Sequence, residues 1–505
     1  MPQYQGFKVV TKIPVDSKEL LSLVYTPGVG SSCLKISENP ELTQVLTNKL
    51  NSVAVIAFDY EIALKRALFL KSALMIDAYP LCVKNSVQKD DLKLVVENIE
   101  PNFCGIDLSQ IAEFAQNIDF QVQIPVLTRP VPDLRDFFGA ISRNIFKFDP
   151  SKLSGTTNEK SLELHELAGG VIETELTEDK RRRPLAVISD GTSVLGFGNI
   201  GAEASIPVLE GKIALYSELA QVDAIPLALK TQNPDEIIKI AQILADSFSG
   251  IHLEDIAAPA CFKVENSLIE TLKIPVFHDD QHGSAIIVLA GLLNSLVLEK
   301  KELSGVKIVI NGAGAAGSAT ARLLAFAGAK NIKLCDINGA VYPNRPENDE
   351  NLEELAKLTN PDGQKSSLSE IIKGADVFIG LSKGNILTDE MVLSMAENPV
   401  IFALANPIPE IMPDKAEHDG AYIVATGRSD FPNQINNSLA FPGLLKGVLD
   451  AGLERITDEI KLECALTIAS LVPEDELSRE KIVPDGLDMR VTQSIAAMIC
   501  AKFRV

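Results

Sequence analysis

The chain of 505 residues is 46% hydrophobic, too apolar for a disordered polymer and long enough for two or three packed domains. Its formal charge of -21 is spread along the sequence, which excludes broad contact with a phosphate backbone, so nucleic acid is not an expected partner. The seven cysteines are odd in number and show no CxxC spacing, which suits a reducing, cytoplasmic setting rather than a disulfide framework or a zinc site.

The first segment, MPQYQGFKVVTKIPVDSKE, lacks the apolar run of a secretory signal and carries acids too early for an Arg-rich transit peptide. Tyr25 then stands in VYTPGVG, where proline and glycine predict an irregular loop. A loop tyrosine is ordinarily a packed one. Near a metal ion its hydroxyl would titrate in a useful range, which makes it an acid-base candidate.

From Ser52 to Pro130 the chain reads SVAVIAFD, LKSALMIDAYPLCV, NFCGIDLSQIA and IPVLTRP. From Pro184 to Gln281 it reads PLAVISDG, GKIALYSELAQVDAIPLAL, SFSGIHLEDIA and IPVFHDDQ, matching blocks in the same order, as a duplicated α/β segment would give. The second copy carries Glu254-Asp255 and Asp279-Asp280 where the first has Ser109-Gln110 and Thr128-Arg129, and the first lacks the Gly-rich GTSVLGFGNIG. The first copy is therefore expected to be a packing or interface element. Between the copies, SGTTNEKS and the Arg181-Arg182-Arg183 run read as solvent-exposed connection.

Within the second copy, Lys212 in VLEGKIALY is expected at the start of a helix and is a second acid-base candidate, although a lysine so placed is ordinarily solvated. Glu254, Asp255 and Asp280 form a carboxylate set suited to a hard divalent cation, Mg²⁺ or Mn²⁺. His278 and His282 flank these acids and read as hydrogen-bonding or packing groups rather than ligands. The longest apolar stretch, Ala285 to Leu298, is broken by Asn294 and falls short of the ~18 residues that span a bilayer, so no membrane contact is expected.

From Lys307 the runs KIVI, NIKLCD, ADVFIG, PVIFALANP and AYIVATG alternate with helical stretches, the rhythm of a parallel sheet with helices on both faces. Gly312-Ala313-Gly314-Ala315-Ala316-Gly317 follows the first strand and opens a helix. That is the dinucleotide fingerprint: a tight turn, close approach of backbone to pyrophosphate, helix packed on strand, and a helix N-terminus facing the phosphates. Asp336 ends the next strand, where a carboxylate accepts from a ribose 2′-OH. Ile337-Asn338 follows with no adjacent cation, so NAD is favoured, with NADP as the alternative. After Pro442, LLKGVLDAGL and LECALTIASLV read as closing helices.

Taken together and in order, YTPGVG, SDGTSVLGFGNIG, EGKIALY, LEDIAAP, FHDDQHGSA, NGAGAAG, ALANPIPEI and ATGRSDFPNQINNSLAFPG resemble the malic enzymes, in wording closest to the compact bacterial type. The resemblance covers residues 20 to 51 and 184 to 450. It implies an α/β fold in two parts. An N-terminal malic-enzyme domain at 1–283 holds substrate and metal and contains a degenerate repeat at 52–183. A Rossmann-type NAD(P)-binding domain with C-terminal helices follows at 284–505. The implied reaction is metal-dependent oxidative decarboxylation of L-malate to pyruvate and CO₂ with reduction of NAD(P). Lys212 resembles the base that takes the C2 hydroxyl proton, Tyr25 the acid that protonates the enolpyruvate, and Asp279 a group that orients Lys212. Glu254, Asp255 and Asp280 match metal ligands. Asn406 and Asn437 match contacts to substrate or nicotinamide, with Asn436 a weaker neighbour.

The larger malic enzymes carry an arginine for the substrate carboxylate where this chain has Ser193; Arg428 is a candidate substitute. The block from Ser52 to Arg183 separates the Tyr25 loop from Lys212, leaving open whether both serve one site in a chain or across a homodimer or larger homo-oligomer. Two rivals stand beside the main reading: malolactic or oxaloacetate-decarboxylating activity on the same site, and a non-catalytic NAD-binding subunit.

Overall fold

The computed structural model describes residues 5–128, 153–179, 181–486 and 488–504; the Arg129-Pro130 end of the first copy lies outside them. The chain divides into two compact units, Met1–Ile256 with Lys263–Val276, and Ala257–Phe262 with Phe277–Val505.

Among the described residues the first unit holds three sheets. β1 (Gly6–Thr11) pairs antiparallel with the distant β6 (Ile172–Thr177). Four strands, β2 (Ser52–Ala57), β3 (Asp77–Cys82), β4 (Gly105–Asp107) and β5 (Val126–Leu127), form a parallel sheet in the order β3-β2-β4-β5. Four more, β7 (Leu185–Ser189), β8 (Ala224–Ala228), β9 (Gly250–Leu253) and β10 (Val276–His278), take the order β8-β7-β9-β10, with β7 parallel to both its neighbours. Both sheets thus place their strands as second, first, third, fourth. SVAVIA and LAVIS are buried along their whole length, as strands covered on both faces must be.

Two expectations for this unit are corrected. SGTTNEKS is not plain connection, because its second half starts the helix Thr157–Ala168, capped by the reciprocal bonds of Thr156 and Glu159. Lys212 lies in the last turn, not the first, of the helix Ala202–Leu215. The helix begins ten residues earlier, at Ala202, and runs through the buried Gly211.

The second unit is built on a six-stranded sheet of β11 (Lys307–Asn311), β12 (Asn331–Asp336), β13 (Gly339–Ala340), β14 (Val377–Gly380), β15 (Val400–Ala403) and β16 (Ile423–Thr426). Its order is β13-β12-β11-β14-β15-β16, parallel except for the short β13, so the five expected strands form the expected parallel sheet. The helix Asp279–Glu299 is long and apolar enough by composition to cross a membrane, yet 72% of its most apolar window is buried within the fold, the condition of a core helix. Helices Phe441–Ala451, Asp458–Ser470 and Met489–Phe503 complete the unit.

Candidate active site

In the first unit, three of the residues singled out in the sequence come together. The Lys212 side chain is fully buried, with Nζ 3.1 Å from Glu254 Oε1. It also lies 5.3 Å from the centre of the Tyr25 ring, close enough for the ring face to feel the ammonium. Gly211 makes this approach feasible. A Cβ there would stand 2.5 Å from the Val24 carbonyl oxygen and 3.2 Å from Tyr25 Cδ2, so a larger residue would push the tyrosine away.

The other oxygen of Glu254 meets His252 Nε2 at 2.7 Å, and His252 Nδ1 meets the Tyr216 hydroxyl at 2.7 Å. Tyr216, His252, Glu254 and Lys212 therefore form one buried chain of polar contacts. Sequence reasoning missed His252 and Tyr216; the signal was a histidine in the middle of an apolar strand, GIHL, where burial demands a polar partner.

Glu254 and Asp255 follow β9 directly. Asp255 has φ 56°, a left-handed conformation that aspartate tolerates better than most side chains. The Gly-rich loop after β7 holds it there, since Ser193 N–H donates to the Asp255 carbonyl at 2.9 Å. Ser193, where the larger relatives were said to carry arginine, thus supports the acid pair through its backbone. Both acids are only 3% exposed.

In the second unit, Asp279 and Asp280 open the helix Asp279–Glu299, where carboxylates interact favourably with the helix dipole. Gly283 leaves room for two side chains, because a Cβ there would fall 1.9 Å from Asp279 Oδ1 and 3.1 Å from Asn437 Cβ. Asp279 and Asn437 are therefore brought side by side. Asn436 instead caps the turn Asn437–Leu439, its Oδ1 accepting from Ser438 N–H at 3.0 Å. His278 is buried, its Nδ1 3.7 Å from Asp280 Oδ2, and His282 packs tilted against Phe277 at 6.0 Å.

The three glycines of the fingerprint differ in their surroundings. A Cβ on Gly312 would meet the Leu381 carbonyl at 2.3 Å and one on Gly317 the Gly312 carbonyl at 1.7 Å, while Gly314 faces open space. Crowding at Gly317 packs the helix Ala315–Phe326 on the end of β11, crowding at Gly312 sets that turn against the segment after β14, and Gly314 leaves an open side. Asp336 ends β12 as expected, but the inference that no cation adjoins it is corrected. Arg345 folds back to donate to both its oxygens, Nη1 to Oδ1 at 2.9 Å and Nη2 to Oδ2, with its own side chain only 3% exposed. Arg345 is the ninth residue after Asp336, returned to it by the turn beyond β12.

Asn406 lies three residues past β15, and a buried residue that the sequence reading passed over fixes its loop. Glu410 accepts from Ser382 N–H after β14 at 3.1 Å and from Ala405 N–H after β15 at 3.0 Å. Burial raises the Glu410 carboxyl above its ordinary pKa, and the two backbone donors oppose that rise. Arg428 is held by Asp430, Nε to Oδ1 at 2.9 Å and Nη2 to Oδ2 at 2.6 Å, and by the Pro407 carbonyl at 3.2 Å.

Residues 281–503 match the family model described as malic enzyme, NAD binding domain, and residues 168–234 that of malic enzyme, N-terminal domain. The chain is 51% identical over 316 residues to the bifunctional malic/malolactic enzyme of Bacillus subtilis, covering 62% of this chain and 77% of that one. It is 48% identical over 340 residues to the NAD-dependent malic enzyme of Geobacillus stearothermophilus, covering 66% and 71%. Among solved structures it resembles the NAD-dependent malic enzyme of Thermotoga maritima, with TM-score 0.61, 45% identity and coverage of 63% of this chain and 84% of that one. The malic enzyme of Pyrococcus horikoshii gives TM-score 0.61 at 41% identity, covering 63% and 76%.

Proposed function

The chain belongs to the malic enzyme family, and on that footing we infer that it oxidatively decarboxylates L-malate to pyruvate and CO₂ while reducing a nicotinamide dinucleotide. The observation that carries this reading is the buried trio of Tyr25, Lys212 and Glu254, an acid, a base and a carboxylate in one place. In this account Lys212 takes the proton from the C2 hydroxyl as hydride leaves C2, and Tyr25 delivers a proton to C3 after CO₂ departs. Asp279, beside Asn437 at Gly283, is assigned to orient Lys212; Asn406 and Asn437 contact substrate or nicotinamide. Arg428 is kept as the candidate partner of a substrate carboxylate, which would have to compete with Asp430.

The donor set of Glu254, Asp255 and Asp280 is all carboxylate, which fits a hard divalent cation and disfavours a soft one; Mg²⁺ or Mn²⁺ is our assignment. A bound cation supplies charge stabilisation at the C2 oxygen, and a bound dinucleotide supplies the hydride acceptor. The residues assigned to the dinucleotide are Gly312 to Gly317 with Asp336, and NAD is the form we propose. The assembly we propose is a homo-oligomer. A reducing cytoplasmic compartment accords with the seven free cysteines.

The test is malate with Mn²⁺ and either NAD or NADP, following reduced-nicotinamide absorbance and pyruvate together. Equal amounts of the two support the reading. Lactate formed without net reduced nicotinamide would favour instead the malolactic reaction named for the Bacillus subtilis relative.

A further inference from the structure

Two of the contacts between the two four-stranded sheets of the first unit form a matched pair. Asn102 ends the turn after the helix Lys89–Ile99 and exchanges two hydrogen bonds, at 2.9 and 2.8 Å, with the backbone of Ala228, the last residue of β8. Ser247 ends the corresponding turn after the helix Pro234–Leu244 and exchanges two, at 2.7 and 3.3 Å, with the backbone of Cys82, the last residue of β3. The two helices pack against each other. β3 reads DAYPLC and β8 with the residue before it reads DAIPLA, so Cys82 and Ala228 are equivalent positions.

The strands upstream of the sheets obey the same relation. Val9 in β1 donates its N–H to Asp223 Oδ1 at the head of β8, and Thr174 in β6 donates its own to Asp77 Oδ1 at the head of β3, at 2.8 and 3.1 Å. Val9 and Thr174 are themselves opposed in the β1–β6 pair. By these two bonds each strand is tied to the sheet that does not follow it. Residue i of one copy meets j of the other while j meets i, the signature of a two-fold interface with exchanged arms.

We propose that this chain is a two-subunit assembly written as one polypeptide. The first repeat occupies, against the second, the place of a partner subunit, and the segment from Gly6 to Asn51 crosses over to complete the second repeat's site. The crossing segment carries Tyr25 to Lys212, and its helix Gly30–Glu38 packs Val29 and Cys33 against Val194 and Val208 of the second copy. The first copy lacks the corresponding polar residues. Asp107, at the position of His252, is paired with Arg66 at 2.8 Å, and Ser109 and Gln110 replace the acid pair. One chain is therefore sufficient for one working site, and the face along Asn102, Ser247 and the helix Pro234–Leu244 is already occupied from within.

Lys8 and Glu175 are exposed cross-strand partners of β1 and β6, 2.7 Å apart, and stand outside the catalytic machinery. In the full-length Lys8→Cys/Glu175→Cys variant, mild oxidation should give an internally bridged monomer of increased mobility on a denaturing gel. A covalent dimer, or no bridge beyond that of the single-cysteine variants, overturns the proposal. A second readout rests on the catalytic assignment above: Tyr25→Phe and Lys212→Ala chains, co-produced and purified together, should show no more activity than either alone. Recovery of activity in the mixture overturns the single-chain site, whereas high activity of either variant alone overturns the acid-base assignment and leaves the gel result to decide the crossing.

Discussion

Lys212 Nζ stands 3.1 Å from Glu254 Oε1 with both side chains out of solvent, 0% and 4% exposed. Removing one member of such a pair leaves a buried charge that the fold must still accommodate, at a cost of roughly 3–5 kcal/mol. Glu254→Ala is therefore expected to lower the unfolding free energy by about 3 kcal/mol. The same variant loses a proposed cation ligand, so the Mn²⁺ concentration for half-maximal activity should rise by at least about tenfold. Denaturant melts and a metal titration check the two halves; a stable variant with unchanged metal demand would remove Glu254 from the site.

Arg345 and Asp336 share two hydrogen bonds at the end of β12, so the cation that could meet a 2′-phosphate is already engaged by the carboxylate that would repel it. Asp336→Ser should release the guanidinium. The ratio of kcat/KM for NADP to that for NAD is expected to rise by at least about tenfold, the worth of one charge-assisted hydrogen bond. An unchanged ratio would mean that this pair does not select the dinucleotide.

Glu410 satisfies two backbone donors at the ends of β14 and β15, and each left buried without an acceptor costs about 1–3 kcal/mol. Glu410→Ala is expected to destabilise the protein by about 3 kcal/mol and to raise the KM for dinucleotide more than it lowers kcat, because the Asn406 loop loosens. Equal KM values in variant and wild type would limit Glu410 to stability alone.

Burial raises the Glu210 carboxyl to about 7, although Asn48 N–H and Val171 N–H donate to it at 2.6 and 3.0 Å. The folded protein binds this proton more tightly than the unfolded chain. The contribution is therefore complete below the ordinary carboxyl value of 4.5 and is lost as pH rises to about 7. The melting temperature of the wild type relative to Glu210→Gln should fall across that window and level off above it. A flat difference across the window contradicts the assignment.

Much of this was legible because the relevant signals are local. The five parallel strands announced themselves as apolar runs, and the Gly312, Gly314 and Gly317 spacing prescribed a backbone shape that a side chain would obstruct. What the sequence concealed depends on the chain returning to itself. Arg345 is nine residues from Asp336 and separated from it by a turn; Glu410 reaches backward to Ser382; His252 gains meaning only when Tyr216 and Glu254 close on it. Lys212 was placed on the right element but at the wrong end, since glycine within a buried helix looks like a boundary when only propensity is weighed. The Thr156–Glu159 capping box is a local signal, present in the sequence as T-x-x-E within SGTTNEKS.

The most direct test of the central claim is malate turnover by Lys212→Ala alongside dinucleotide binding measured by nicotinamide fluorescence. The account predicts loss of at least about two orders of magnitude in kcat, the usual worth of a general base, with dinucleotide affinity unchanged. Malate oxidation at a rate near that of the wild type, in a variant that still binds the dinucleotide, would contradict it.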